Sequence, residues 1–281
     1  MYPLTPALPA SEPLLLRVSK LSVTYGATRS HPVAALHKVD LEIPAGQIVG
    51  LLGESGCGKS TLALSVLGLL PAGTHVEGEI FYRGDDLTQS CESQLRSMRG
   101  AKISMIHQEP GLSLSPVMKV GDQIAEVIRA HIDLDRKKRR EKVLEILDAV
   151  YLRDGERVYS AFPHQLSGGE LHRVAIAQAL VCQPELVIAD ESTKSLDGRR
   201  QHEILDLLTD LNHKFGTAIL FITHNPALLA GFAQQVLVMH GGCVVEAGET
   251  SQVFRHYRHP HTKELLQLVP QSLQNDLIPR G

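Results

Sequence analysis

The chain has 281 residues, 43% of them hydrophobic, and a formal net charge of −3. That is ample material for a core in one large domain or two modest ones, and the slightly acidic balance gives no global basic field, so a nucleic-acid partner is not implied. The four cysteines (Cys57, Cys91, Cys182, Cys243) are far apart and include no C-x-x-C pair, which argues against a zinc site and a disulfide framework and for a reducing, cytoplasmic compartment.

The proline-rich start, residues 1–13, lacks the basic and apolar regions of a signal peptide and reads as a flexible lead-in. No apolar stretch approaches the ~18 residues a membrane-spanning helix needs, so a soluble chain is expected. The first strong element is the apolar run Ile48–Leu52, read as a buried strand. It leads into Gly53-Glu54-Ser55-Gly56-Cys57-Gly58-Lys59-Ser60, which fits G-x-x-x-x-G-K-[ST], and helix-compatible residues follow from Ser60 to Leu70. Strand, loop and helix stand in the order a phosphate-binding loop requires. Glycines let backbone N–H groups turn toward phosphates, Lys59 neutralises their charge, Ser60 offers a hydroxyl to Mg²⁺, and the helix N-terminus adds partial positive charge.

Further along, Val120–Ala130 and Glu141–Leu152 carry apolar residues at helical spacing, among them the stripe Val143, Leu144, Ile146, Leu147 and Val150. The basic run Arg136–Arg140 between them reads as a solvated helix start, because Asp133, Asp135 and Glu141 surround it and no aromatics are interleaved. Leu166-Ser167-Gly168-Gly169-Glu170 then precedes a helical run from Leu171 to Cys182 in which Val174, Ile176, Ala177 and Leu180 can face a core. Its Ser-Gly-Gly turn is a second place where backbone amides can meet an anion. Leu186–Ala189 reads as a buried strand ending in Asp190 and Glu191. In a phosphate-loop ATPase an acid there holds Mg²⁺ and its neighbour polarises the attacking water, so Asp190 is assigned the metal and Glu191 the base.

With both Gly53–Ser60 and Leu166–Glu170 in hand, the chain resembles the ATP-binding subunits of ABC transporters, from about Leu14 to Leu268. In that family L-S-G-G-[QE] is the signature that contacts ATP held by the other subunit. The resemblance implies an α/β fold: a P-loop NTPase (RecA-like) core with an antiparallel β subdomain and a helical subdomain inserted over roughly 109–166. An ATPase domain over 14–250 and a C-terminal extension over 251–281 complete the expected layout. It also implies ATP and Mg²⁺ as cofactors, with ATP held by Tyr25 on adenine, Gly53, Glu54, Ser55, Gly56, Cys57, Gly58, Lys59, Ser60, Thr61 and the Q-loop glutamine Gln108. Mg²⁺ would be held by Ser60, Gln108 and Asp190. Glu191 and the switch histidine His224 would be catalytic, Asp197 the D-loop aspartate, and Ser167, Gly168, Gly169 and Glu170 would act on the partner's ATP.

Three local matches resemble the oligopeptide, dipeptide and nickel importer branch: Gln108-Glu109-Pro110 with Ser113-Leu114-Ser115-Pro116, Phe162-Pro163-His164-Gln165-Leu166, and the run Arg258 to Leu266. The expected partners are a second ATPase subunit, two transmembrane permease subunits and, indirectly, a solute-binding protein. The expected location is the cytoplasmic face of the inner membrane. The histidines His256, His259 and His261 read as structural, since no cysteine or acid nearby completes a ligand set. The chain departs from the family at Asp190-Glu191-Ser192-Thr193-Lys194-Ser195-Leu196-Asp197. Ser192 stands where a proline is usual, and Lys194 puts a cation where it could contact phosphate, pair with an acid on the partner or slow closure. Two alternatives stand beside the importer: a soluble ABC ATPase without a membrane partner, and a regulatory subunit with weakened catalysis.

Overall fold

Continuous apolar runs become strands buried on both faces, and alternating runs become half-exposed ones. The computed structural model describes residues 13–26, 32–194 and 196–267. Its strands are β1 (Leu14–Tyr25), β2 (Val33–Pro44), β3 (Ile48–Gly53), β4 (His75–Tyr82), β5 (Asp85–Asp86), β6 (Ile103–Ile106), β7 (Leu186–Asp190), β8 (Ala218–Thr223), β9 (Gln235–His240) and β10 (Cys243–Glu249). Its helices are α1 (Lys59–Val66), α2 (Glu92–Met98), α3 (Pro110–Ser113), α4 (Val120–His131), α5 (Arg136–Ala149), α6 (Gly155–Ser160), α7 (Gly168–Leu180), α8 (Gly198–Phe215), α9 (Thr250–Arg255) and α10 (Pro260–Gln267). Residues 1–12 of the proline-rich lead-in over 1–13, Ser195, and residues 268–281 of the expected C-terminal extension lie outside the described residues.

Two units make up the described chain, one from the residues up to Leu95 together with those from Ala218 onward, the other from Arg96 to Thr217. The first holds an antiparallel sheet in the order β2-β1-β4-β5 and the strand set β10-β9-β3-β8. There β3 runs parallel to both β8 and β9, and β10 is antiparallel to β9. Every residue of β3 and β8 is buried, as their unbroken apolar sequences require, and Phe221 and Phe232 meet edge to face at 5.1 Å in that core.

The expected helix after the phosphate loop is shorter than its sequence suggested. It ends at Val66 because Gly68, at φ 61, closes it: Gly68 N–H donates to Ser65 O and Leu69 N–H to Leu64 O. This double bond pattern satisfies the last carbonyls and turns the chain out of the helix before Leu70.

The second unit joins the parallel pair β6 and β7 to helices α3 to α8. The expected stripe on α5 is its inner face, with Val143, Ile146, Leu147 and Val150 buried and Leu144 half-buried. The basic run opens α5, where Asp135 caps the helix by accepting from Lys138 N–H and the cations Lys137 and Lys138 pair with Glu141 and Asp135. On α4, Gly121 is packed so closely that a Cβ would sit 2.2 Å from the Tyr159 ring of α6. The helices of 109–166 lie within this unit, which also carries α7, β7 and α8.

Candidate nucleotide-binding site

The phosphate loop leaves the end of β3, where parallel pairing brings Leu52 opposite both Thr223 of β8 and Val238 of β9. Register alone therefore sends Gly53 and His224 out of adjacent strands side by side. A Cβ on Gly53 would meet Met239 O at 2.5 Å and Cys57 Sγ at 2.7 Å, and one on Gly58, at φ 109, would meet Ala35 O at 2.7 Å. Neither position admits a side chain, so the two glycines fix the loop's close passage past its neighbours.

Gly58 is the N-cap of α1 and, having no side chain, supplies no side-chain cap to the first turn of the helix. Lys59, 5% exposed, runs back along the loop and donates to Gly53 O at 2.8 Å and Glu54 O at 2.7 Å. These residues fit a phosphate chain: backbone donors converge at a helix N-terminus, and a buried ammonium is poised on carbonyls it can exchange for anionic oxygens. Glu54, Ser55, Gly56 and Ser60 are exposed, while Cys57 is buried. Burial pushes the Cys57 thiol pKa up, and the charge of Lys59 offsets only part of that. Tyr25 is half-buried, and its hydroxyl donates to Thr61 Oγ1 at 3.1 Å, which anchors the ring beside α1.

In the second unit, the register of β6 and β7 pairs Ile106 with Ala189. His107 and Gln108 therefore leave one strand where Asp190 and Glu191 leave the other, so Gln108 and the two acids are brought to one edge. Asp190 is 8% exposed. Glu191 sits at φ 43, a left-handed conformation that is costly for a residue with a Cβ, and the turn is closed by Lys194 N–H donating to Glu191 O. Within that turn Lys194 Nζ stands 2.9 Å from Glu191 Oε2. The geometry adds a contact that the sequence did not suggest for Lys194, an ion pair with an acid of its own turn, and leaves its side chain 44% exposed. Asp197 caps α8, accepting from Arg200 N–H at 3.0 Å.

The signature is a helix start. Ser167 is the N-cap of α7 and forms a reciprocal capping box with Glu170: Ser167 N–H donates to Glu170 Oε2 at 2.9 Å, and Glu170 N–H donates to Ser167 Oγ at 3.3 Å. Glu170 also pairs with Arg157. The Ser167 amide, then Arg157, hold its carboxyl below the usual glutamate range. Arg157 stands thirteen residues before Glu170, and nothing in the linear pattern marks that contact. Among the described residues, Cβ atoms built on Gly168 and Gly169 would meet nothing within 4 Å, so the packing of those residues does not demand glycine there. The expected core residues of α7, Val174, Ile176, Ala177 and Leu180, are all buried.

No helix among the described residues is long and apolar enough to cross a membrane. The family model for ABC transporters matches residues 36–194. A probable peptide ABC transporter ATP-binding protein of Sinorhizobium fredii is 44% identical over 92% of this chain and 77% of its own length. The dipeptide transport ATP-binding protein of Escherichia coli is 40% identical over 93% of this chain and 80% of its own. Among solved structures, a dimeric bacterial ABC transporter cassette superposes with a TM-score of 0.73 at 28% identity, covering 84% of this chain and 98% of the cassette. A cassette from a Clostridium perfringens ABC transporter complex gives 0.74 at 27% identity over 92% and 94%. A loop built for phosphates, a capped Ser-Gly-Gly turn and two acids at a strand end thus occur in a chain that belongs to the ABC transporter family, as one of its ATP-binding and ATP-hydrolysing subunits.

Proposed function

We propose that this subunit powers the uptake of peptides or chemically similar solutes through separate membrane subunits, from the cytoplasmic face of the membrane. Its relatives are named for peptide and dipeptide transport and are about 40% identical over most of the chain, which supports the substrate class. The observation that carries the nucleotide role is the uncapped start of α1 with Lys59 fastened to the carbonyls of Gly53 and Glu54.

In this reading Gly53 through Thr61 cradle the phosphates and Tyr25 flanks the base. Lys59 exchanges its two carbonyls for phosphate oxygens and so neutralises charge there. Mg²⁺, when bound, spreads the developing negative charge of the phosphates; Ser60, Gln108 and Asp190 carry the oxygens suited to it. Glu191 orients and polarises the attacking water, and His224 holds the water and the terminal phosphate in line. Ser167, Gly168, Gly169 and Glu170 present the α7 amides to ATP on a second ATPase subunit, and the open space over both glycines suits close approach by that phosphate. Asp197 stands at the D-loop. ATP, bound more tightly by the closed pair than ADP is, drives closure, and hydrolysis releases it.

The test combines two variants with one pull-down. Glu191→Gln is expected to abolish turnover while leaving nucleotide binding intact, and Lys59→Ala to lose binding. A tagged chain recovered from its native membranes is expected to bring two polytopic proteins and a second ATPase subunit. Recovery only from the soluble fraction, without membrane proteins, would overturn the importer.

A further inference from the structure

Of the histidines in the C-terminal run, His259 is structural: its Nδ1 accepts from His261 N–H at 3.2 Å, and its own N–H donates to Glu246 at 3.2 Å. Glu246 also takes Arg258 N–H at 2.8 Å and the Thr262 hydroxyl at 2.5 Å, so this one carboxylate of β10 docks the start of α10. His261 is different. Its side chain is 5% exposed, its Nδ1 lies 3.5 Å from Glu264 Oε2, and its Nε2 is buried with no hydrogen-bond partner among the described residues. A buried imidazole nitrogen without a partner is costly unless something outside the chain occupies it.

What faces His261 is a pair of donors brought in by the main sheet. Parallel pairing sets Gly53 of β3 opposite Met239 of β9. The next residues, Glu54 and His240, therefore emerge together. The His240 and His261 rings are 4.0 Å apart between centroids and tilted by 44°. One donor atom each from Glu54, His240 and His261 lies within 4.8 Å of the others.

We propose that Glu54, His240 and His261 form a binding site for one borderline transition-metal dication such as Zn²⁺, tying helix α10 to the phosphate loop. Two imidazoles and a carboxylate are a ligand set such an ion takes, and a fourth position remains for water. Donors around tetrahedral zinc stand roughly 3.3 Å apart, given metal–ligand bonds of about 2.0 Å. The exposed Glu54 and His240 can make that adjustment by rotating. Glu264 Oε2, 3.5 Å from His261 Nδ1, stands where ligating histidines commonly have an outer carboxylate, on the side away from Nε2.

The test titrates Co²⁺ into the nucleotide-free full-length chain after chelation and dialysis, reading the visible d–d bands, with Zn²⁺ calorimetry alongside. One Co²⁺ per chain, displaced by Zn²⁺, is expected. Glu54→Gln and His240→Ala should each weaken binding by at least about tenfold, whereas the exposed control His213→Ala should leave it unchanged. His261 is buried and its replacement can unfold the chain, so the two exposed ligands decide the matter. Absence of Co²⁺ binding to the wild-type chain, or equal affinity in the wild type and both variants, would overturn the site.

Discussion

Lys194 Nζ is 2.9 Å from Glu191 Oε2, in a turn where Glu191 itself is held at φ 43. The glutamate side chain is 10% exposed and the lysine side chain 44%, so the pair is half-wet. Such pairs contribute about 0.2–1 kcal/mol, which must be given up before the carboxylate can turn to a water. Lys194→Ala is therefore expected to raise kcat for ATP by about 1.4- to fivefold, with little change in KM, the factor following from that range. An unchanged or lower kcat would show that the contact does not restrain Glu191.

The capping box at the signature can be tested apart from nucleotide. Ser167→Ala should cost about 1 kcal/mol in chemical denaturation, the usual loss for an N-cap hydroxyl. Glu170 has a folded pKa below its ordinary value of 4.5, so its contribution is fully present above that value and is lost as pH falls through the lowered one. Stability of the wild-type chain should decline in that acidic window more steeply than that of Glu170→Gln. Parallel curves would remove Glu170 from the acid response.

Thiol chemistry separates two cysteines. Cys57 is buried with a raised pKa, whereas Cys91 is exposed, and a hydrogen bond from Ser93, then the Gln94 amide, lowers its pKa. Since the thiolate is the nucleophile, iodoacetamide at neutral pH should modify Cys91 first and Cys57 last, as read by peptide mass spectrometry. Bound nucleotide should slow Cys57 further and leave Cys91 unaffected. Rapid labelling of Cys57 in the nucleotide-free chain would contradict the loop's packing.

In the helical unit, Gly121→Ala drives a methyl group into the Tyr159 ring, 2.2 Å from where its Cβ would lie. Overpacking of this kind costs about 1–3 kcal/mol, so the midpoint of unfolding should drop. Nucleotide affinity of the folded protein should stay within about twofold, because the substitution touches α4 and α6 only. A neutral midpoint would mean that the α4–α6 contact yields without strain.

Much of this protein was legible in its sequence because the decisive features are local. The spacing from Gly53 to Ser60, the Ser167 to Glu170 turn and the apolar strand ending at Asp190 each specify backbone geometry within a few residues. The helix after the phosphate loop was overextended at Leu70 because Gly68, not hydrophobic periodicity, sets its end. Tertiary structure alone decided the rest. Sheet register, which pairs residues more than a hundred apart, brought His224 beside Gly53, and Glu54 beside His240. The cation at Lys194 could be seen in the sequence but not aimed, because the direction of a long side chain depends on the turn beneath it. Likewise the linear chain shows no evident ligand set around His261 because two of the donors beside it, Glu54 and His240, lie far from it or on another element. Folding supplies Glu54 to it, since parallel strands deliver their C-terminal ends, and whatever follows them, to one edge of the sheet.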